Sequence, residues 1–403
     1  MSDHHHPSDV TPFRWFLAAR FVSFLGTSMS TVALAFGVLG ASGRAADLGI
    51  VMAANIGPSL ALLLVGGAVA DRFSRRTVLV VVNLGAGVAQ AGVAAVLLTG
   101  HYSLVAVSAL ALVNGSMESL ASPALRGIVP DLVAADGLRG ANSALAATRN
   151  ATRIFGPVLA GVISAASGGG WAIAADALSF LVAAALLAKL PAATRASTAR
   201  GSLLPDIRDG WREFRARRWV WTAALAFCVF NLANVGAWQV LGPTLTGPVA
   251  WGIVLSVRAV GLLVMSLLMS RISPRHPLRV GALVTATCGF PLVALGLDAA
   301  VPVLAACAFV AALGSATWGV VWDTALQQHV PGDVLARVAS YDDLLSFASI
   351  PLGLLLVGPA ATAWGAETVA LVCGAVCVAS VLAPLTVRSF RDLTARPPAT
   401  VGG

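Results

Sequence analysis

The sequence predicts an all-α integral membrane protein with twelve transmembrane helices in two six-helix bundles. Of its 403 residues, 58% are hydrophobic and 11% are charged, whereas roughly 25% of the residues in a soluble globular domain are charged. Apolar runs of about 20 residues, the length that crosses roughly 30 Å of hydrocarbon, recur along the whole chain. One long basic connection separates these runs into two sets of six.

Counting the apolar runs gives the predicted spans. They lie near residues 14–38, 48–70, 77–98, 103–123, 142–166, 171–190, 219–241, 249–271, 278–297, 302–322, 342–363 and 367–387. Alanine and glycine have weak hydropathy, so the spans are better defined than their ends.

Basic residues determine the predicted orientation. With the N-terminus in the cytoplasm, most of the 26 basic residues fall on the cytoplasmic side and only Arg44 falls outside, which satisfies the positive-inside rule. Tryptophans near span ends are typical of interfacial anchors, and seven hold such positions: Trp15, Trp171, Trp219, Trp221, Trp251, Trp322 and Trp364. The sequence therefore predicts a multi-pass protein of the cell inner (plasma) membrane with both termini in the cytoplasm.

The long connection divides the chain into an N-terminal bundle over 1–190, a cytoplasmic linker over 191–218, and a C-terminal bundle with a short tail over 219–403. Within the linker, apolar residues recur at helical spacing against a basic face: Leu203, Leu204, Ile207, Trp211 and Phe214. This pattern predicts an amphipathic helix that either lies on the anionic inner leaflet or serves only as a link. The segment ALRGIVPD at 124–131 is echoed by ALQQHVPG at 325–332, which indicates a duplication.

The connection after the second span carries a charged motif, GAVADRFSRR at residues 67–76, which contains Gly67, Asp71, Arg72, Arg75 and Arg76. Glycine lets helices approach closely, and arginines cannot cross hydrocarbon cheaply. The motif resembles the signature loop of the major facilitator superfamily, Gly-x-x-x-Asp-Arg-x-Gly-Arg-Arg, with Ser74 in place of the usual glycine. The alternative is a charge cluster that ends a helix and has no further role.

Two further stretches extend this resemblance to the drug, macrolide and siderophore efflux-like branch: Arg153–Pro157 and Asp176–Phe180. The resemblance implies two parallel six-helix repeats and a solute cavity lined mainly by the first, fourth, seventh and tenth helices. On those helices the mildly polar candidates are Thr27, Ser28, Thr31, Asn114, Asn231, Asn234, Trp238, Gln239, Ser315, Thr317 and Trp318. Such a surface suits a small amphipathic organic solute.

Span five contains Gly156, Pro157 and Gly161. Small residues allow tight helix packing, and an internal proline bends the helix axis. The stretch partly resembles the antiporter signature of the superfamily, which favours export. A kinked packing helix without that role is the alternative.

Acids inside spans are costly and are therefore functional candidates. Glu118, with Asn114 four residues earlier on the same face, either carries a proton or pairs with Arg72 or Arg75 in an inner gate. Asp176 is a second proton-coupling candidate or a buried structural acid. Asp71 is expected to favour the N-terminus of span eleven, near Ser340 to Asp343.

The first helix departs from the pattern of related exporters. Related exporters often place an acid just after a Ser-x-x-Gly segment, whereas this chain has Thr27 after Ser23 to Gly26. Coupling would then depend on Glu118 or Asp176. If neither titrates, the protein could only equilibrate its substrate.

Other classes of protein are not supported by the sequence. It contains no Walker loop, His-Glu-x-x-His or Gly-x-Ser-x-Gly motif, so we predict neither an enzyme nor a cofactor. The five cysteines lie in apolar runs without metal-ligand spacing, which predicts no metal site. Because the basic residues lie in connections between apolar runs, the formal charge of +8 does not indicate nucleic acid.

The predicted function is proton-coupled efflux of small amphipathic molecules by rocker-switch alternating access. The predicted partners are a small-molecule substrate, protons and the lipid bilayer, and a monomer suffices for the mechanism. One alternative is an importer or facilitator with the same fold, which the missing first-helix acid favours. A non-transporting membrane sensor is the other.

Overall fold

The computed structural model describes residues 11–72, 74–133, 137–190, 211–269, 272 and 274–394, and within these ranges it contains helices and no strand. The side chains of Gly67, Asp71 and Arg72 lie outside the described part, as does the predicted linker helix up to residue 210. The chain divides into two compact units, Met1–Ala199 and Arg200–Gly403. Each unit is described by itself.

Unit 1 is built from long helices. They are α1 (Thr11–Ser42), α2 (Ala45–Arg72), α3 (Arg75–Leu98), α4 (Leu104–Leu132), α5 (Leu138–Ser167) and α6 (Gly169–Leu187). Helix α1 packs on α5 and α6, α3 packs on α4 and α6, and α2 packs on α4. Buried small and branched side chains fill the interior, as close helix packing in an apolar chain requires.

Side chains cap two of these helices. Ser74, at the position of the family glycine, is the N-cap of α3, and its Oγ accepts a hydrogen bond from the Thr77 amide at 3.2 Å. Ser103 caps α4 in the same way through the Ala106 amide. Arg76 donates a hydrogen bond to the carbonyl of Ala188, the C-cap of α6. These contacts satisfy backbone groups that helix ends leave unpaired.

Unit 2 contains more interrupted helices. They are α7 (Arg218–Gly236), α8 (Pro248–Leu268), α9 (Pro277–Thr285), α10 (Phe290–Gly296), α11 (Val301–His329), α12 (Gly332–Phe347), α13 (Ile350–Trp364), α14 (Ala366–Leu382) and α15 (Arg388–Arg391). A π-helical turn, Ala237–Leu241, follows α7, and a 3₁₀ turn, Ala286–Gly289, joins α9 to α10. Helices α8, α9, α11 and α13 each have a proline in the first turn and no side-chain cap.

Among the described residues, ten helical segments are long and apolar enough to cross a membrane. They coincide with ten of the predicted spans, and the protein is a multi-pass membrane protein. The predicted spans 48–70 and 142–166 fall on α2 and α5, which are helical but are not among the ten. A count of twelve spans therefore stays a prediction.

The structure corrects three details of the sequence analysis. Helix α12 begins at Gly332, so the prediction of a helix N-terminus near Ser340 to Asp343 is wrong. The apolar run starts near residue 342, but the helix extends ten residues further back. Trp219, Trp251 and Trp322 are at most 8% exposed, so they pack inside unit 2 instead of serving as exposed anchors.

The third detail concerns the linker. Its described end, residues 211–216, is helical, and Phe214 is 1% exposed. Trp211 and Phe214 contact the Tyr341 ring of α12, with centroids at 5.4 and 6.0 Å. This part of the linker packs on unit 2, which favours the linking role over attachment to the leaflet.

Candidate functional site

Asp176 of α6 lies in a closed polar network inside unit 1. The residue is fully buried, and its Oδ2 accepts a hydrogen bond from Gln90 Nε2 at 2.7 Å. Gln90 also donates to Ser30 Oγ at 2.8 Å. The network joins α1, α3 and α6, and it supplies the hydrogen bonds that a buried carboxyl group requires.

Gly26 leaves this network just enough room. A Cβ atom at Gly26 would lie 1.8 Å from Ser179 Oγ and 2.5 Å from Asp176 Oδ1. Both distances are below any normal contact between non-bonded atoms. The glycine of the Ser-x-x-Gly segment thus allows α1 to approach the Asp176 carboxyl group.

Glu118 of α4 is half-buried and lies beside Asn114. Asn114 Nδ2 donates to Glu118 Oε1 at 3.4 Å, while the buried Asn114 Oδ1 has no hydrogen-bond partner among the described residues. Glu118 of α4 and Asp176 of α6 lie on helices that both pack on α3. The two proton-coupling candidates and their hydrogen-bond partners are called the polar region of unit 1.

The predicted gate residues have different surroundings. Helix α2 ends at Arg72, so Asp71 lies in its last turn. Arg76 caps α6, as described above, and Arg75 opens α3. The hydrogen-bond neighbour that the structure gives Glu118 is Asn114. Its pairing with Arg72 or Arg75 stays a prediction.

The antiporter-like stretch of α5 packs on α1. A Cβ atom at Gly156 would lie 2.5 Å from Ser28 Cβ and 3.1 Å from the Ser28 carbonyl carbon. Pro157 lies inside α5, and Gly161 is buried. The small residues thus permit a tight crossing of α1 and α5, and the antiport role stays a prediction.

Sequence analysis did not predict the cationic cluster near Phe24. Arg20 of α1 is 7% exposed, and its Cζ lies 4.0 Å from the centroid of the Phe24 ring. Arg149 of α5 lies 5.2 Å from the same centroid. Cation–π attraction compensates part of the cost of burying Arg20.

A polar cluster lies at the N-terminal end of α2. Tyr102 donates a hydrogen bond to Asp47 Oδ2 at 3.1 Å, and Arg44 Nε lies 3.6 Å from Asp47 Oδ1. Burial, followed by the charge and hydrogen bond of Asp47, raises the pKa of Tyr102 to about 12. Asp47 lies in the first turn of α2, where a negative charge is favourable.

The predicted cavity residues differ in their exposure. Thr27 and Thr31 of α1 are exposed, and Asn234 and Gln239 are half-buried. Thr317 is 2% exposed, and its hydroxyl donates to the Leu313 carbonyl of its own helix. Trp238, in the π-helical turn, is 9% exposed, and its Nε1 has no hydrogen-bond partner in the part of the chain that the structure describes.

The Asn231 side chain of α7 donates a hydrogen bond to the backbone next to the break between α12 and α13. Its Nδ2 donates to the Ser346 carbonyl in the last turn of α12, at 2.9 Å. Three residues later, Ser349 Oγ donates to the Cys228 carbonyl of α7 at 2.6 Å. Carbonyls at a helix end need partners other than their own helix. Asn231 thus satisfies backbone at the interruption between α12 and α13.

A cavity of about 230 Å³ opens between α7, α11 and α12 in unit 2. Its wall includes two of the predicted residues, Asn231 and Trp318, and three acids that sequence analysis did not group: Asp323, Asp342 and Asp343. Trp322 Nε1 donates to Asp342 Oδ2 at 2.6 Å. Helical periodicity assigns Asp323 and Asp342 to two different helices. It does not predict that the two side chains line the same cavity.

The residues that the structure describes contain no group of three or more His, Cys, Asp or Glu side chains able to hold a metal ion. The three acids of the cavity are included in that search.

Comparison with known proteins gives matches over most of the chain. A family model described as a transmembrane secretion effector matches residues 4–396. The multidrug efflux pump Tap of Mycobacterium tuberculosis is 28% identical over 401 residues, which cover 96% of this chain and 95% of Tap. The enterobactin exporter EntS of Escherichia coli is 24% identical over 361 residues, which cover 88% of this chain and 85% of EntS.

Solved structures share the fold. The nucleoside transporter NupG matches with a TM-score of 0.78 at 12% identity, over 93% of this chain and 99% of NupG. A bacterial homologue of the iron transporter ferroportin matches with a TM-score of 0.71 at 16% identity, over 94% of this chain and 99% of that chain. At these identities the likeness concerns the fold alone.

Proposed function

Because this chain belongs to the transmembrane secretion effector family of the major facilitator superfamily, we propose that it exports small amphipathic organic molecules in exchange for protons. The chain is a transporter and not an enzyme. In this proposal twelve spans form two six-helix bundles in the cell inner membrane, with both termini in the cytoplasm. Transport proceeds by rocker-switch alternating access.

One observation carries the direction of transport. Tap and EntS are both exporters by name, and each is matched over at least 85% of its own length. The tight crossing at Gly156 in the antiporter-like stretch is compatible with the same direction. The substrate of this chain is not inferred from either name.

The polar region of unit 1 supports proton coupling. A carrier of protons needs a carboxyl group that an apolar environment shields and that neighbouring groups can hydrogen-bond in its charged form. Glu118 beside Asn114, and Asp176 beside Gln90, meet both conditions. One charge crossing about 150 mV releases roughly 3.5 kcal/mol, which supports a several-hundred-fold substrate gradient.

Export can be tested in a drug-sensitive host that lacks its own pumps. Expression of the chain should lower the accumulation of at least one compound from a panel of amphipathic drugs, and a protonophore should restore it. Glu118→Gln should reduce the proton-dependent component by about tenfold or more, because the carrier would be lost. Glu367→Gln is the matched control, since Glu367 is an exposed acid in the first turn of α14.

Accumulation that a protonophore leaves unchanged would contradict coupling to protons. Unchanged transport in both Glu118→Gln and Asp176→Asn would contradict the assignment of the carriers. Where a variant loses transport, its amount in purified membranes separates loss of function from loss of protein.

A second candidate is an importer or facilitator. It is favoured by Thr27, an exposed hydroxyl residue at the position where related exporters often carry an acid. Expression would then raise the uptake of a labelled solute, and a protonophore would leave the final level unchanged.

A further inference from the structure

The cavity between α7, α11 and α12 combines an aromatic wall with a concentration of negative charge. The Phe227 and Trp318 rings stack with centroids 4.4 Å apart, and Trp318 stacks on Trp322 at 5.3 Å with an interplanar angle of 13°. All three rings line the cavity. Together they form a stack of three rings at the cavity wall.

Three carboxyl groups line the same space: Asp323 of α11, and Asp342 and Asp343 of α12. Among the described residues, none of the three forms an ion pair with a basic side chain. The chain as a whole is basic, with a formal charge of +8. Within the described part of the chain, a group of acids without ion pairs contrasts with this net positive charge.

The buried acid is held firmly. Asp342 is 6% exposed, and its two oxygens accept hydrogen bonds from Trp322 Nε1 at 2.6 Å and Ser346 Oγ at 3.4 Å. Because Trp322 is also a wall residue, one side chain orients both an aromatic surface and a carboxyl group. The site is thus organised before any ligand binds, which lowers the entropic cost of binding.

We propose that this cavity binds a small organic cation, such as an aromatic quaternary ammonium ion, between the aromatic wall and the three acids. Aromatic faces attract organic cations through the negative charge on the ring surface. Carboxylates that line the same space add Coulomb attraction to a bound cation. A volume of about 230 Å³ suits a small ligand better than a drug-sized one.

Within the proposed function, this assignment names a substrate class for the exporter. The binding step itself does not depend on transport, so it can be measured separately. An anionic ligand is excluded by the acids, and a bare metal ion is disfavoured because these acids do not converge into a metal site.

The experiment uses the purified full-length chain in detergent. Phenyltrimethylammonium is titrated by calorimetry, and tryptophan fluorescence provides a second readout because Trp318 and Trp322 line the cavity. The neutral isostere tert-butylbenzene and the anion benzenesulfonate are the ligand controls. The cation should bind at least about tenfold more tightly than either control.

Two variants separate the two parts of the site. Asp343→Asn removes one charge with little change of shape, and Trp318→Leu removes an aromatic face. Each should weaken binding of the cation by about tenfold, while Glu367→Gln, a charge change outside the cavity, should alter it by less than about twofold. Thermal unfolding of each variant identifies any variant that has failed to fold.

Equal binding of the neutral isostere, or unchanged cation affinity in a folded Asp343→Asn variant, would overturn the proposal. Cation binding without export would sustain this inference and contradict the proposed function. Export of other compounds without cation binding would sustain the proposed function and contradict this inference.

Discussion

Unit 1 and unit 2 each contain a buried aspartate, but the surroundings of the two carboxyl groups differ. Asp176 in unit 1 is fully buried, hydrogen-bonded to Gln90 and in contact with Gly26, so its surroundings are closed. Asp342 in unit 2 is hydrogen-bonded to Trp322 but borders an open cavity. The difference shows that burial alone does not define a carboxyl group's role. A closed acid can exchange at most a proton, whereas an acid beside free volume can also meet a ligand.

Removing the hydrogen-bond donor of each aspartate should give the largest contrast. Gln90→Leu removes the 2.7 Å donor of the closed Asp176, leaves the longer 3.5 Å contact from Ser179 Oγ, and should lower the free energy of unfolding by about 1–3 kcal/mol. Trp322→Phe removes the shorter of the two hydrogen bonds to Asp342 but keeps a ring, and water in the cavity can replace the bond, so we expect less than about 1 kcal/mol. Chemical denaturation in detergent measures both. Equal losses would contradict the distinction between closed and open acids.

Adding one methyl group tests whether the space around the two aspartates differs. Gly26→Ala places a Cβ atom 1.8 Å from Ser179 Oγ and should cost about 1–3 kcal/mol through overpacking. Gly319→Ala adds a methyl group at the cavity wall, where no atom lies within 4 Å, and should be tolerated. Gly40→Ala is the control in the same helix as Gly26, since its Cβ also meets no atom within 4 Å. Shifts in the unfolding midpoint measure the cost of each variant. An unchanged midpoint in Gly26→Ala would contradict tight packing around the Asp176 network.

Side chains cap two helix starts in unit 1, whereas several helices of unit 2 begin with a proline. Substitutions at these helix starts should have smaller effects on stability. Ser74→Ala removes the side-chain cap of α3 and should cost about 1 kcal/mol, whereas Ser74→Gly, which restores the family residue, should cost only a few tenths. In unit 2, Pro248→Ala in α8 removes a proline and no cap, and it should cost about 0.4–1 kcal/mol through the unfolded state. Unfolding midpoints of the three variants measure this order. A larger cost for Ser74→Gly than for Ser74→Ala would contradict a capping role.

The smallest expected effects concern pH, and they have opposite signs in the two units. The pKa of Tyr102 in unit 1 is raised to about 12, so its contribution to stability is complete below pH 10 and is lost as pH rises through about 12. The hydrogen bond from Arg217 lowers the pKa of Glu213 in unit 2, so that contribution is present above pH 4.5 and is lost as pH falls.

Thermal unfolding as a function of pH tests these signs. Tyr102→Phe should weaken the alkaline loss of stability, and Glu213→Gln should weaken the acidic one. Each variant is the control for the other. A Tyr102→Phe variant that changes the acidic limb instead would contradict the assignment.

Much of the helical framework could be predicted from apolar runs. The predicted spans 77–98 and 302–322 lie within Arg75–Leu98 and Val301–His329, because hydrocarbon-length runs leave few other structures possible. Helix ends were less predictable. The start of α12 at Gly332 was missed because Asp333 and Arg337 interrupt the hydropathy without interrupting the helix.

The candidate sites depended more on tertiary structure. Asn114 and Glu118 could be paired from their spacing of four residues, and the structure shows that contact. The bond from Arg76 to Ala188 joins residues 112 positions apart, and the meeting of Asp323 with Asp342 depends on how α11 packs on α12. Helical periodicity gives the face of a helix but not the neighbour that the face meets.

The bond from Asn231 to the Ser346 carbonyl complicates how a transport phenotype at this position would be interpreted. Any residue without an amide here would leave a carbonyl unpaired at the α12 terminus and would disturb Asp342 and Asp343 one turn away. Loss of transport in Asn231→Ala would therefore reflect a displaced helix end as much as a lost solute contact. Asn231→Gln, which retains the donor on a longer arm, separates those two origins.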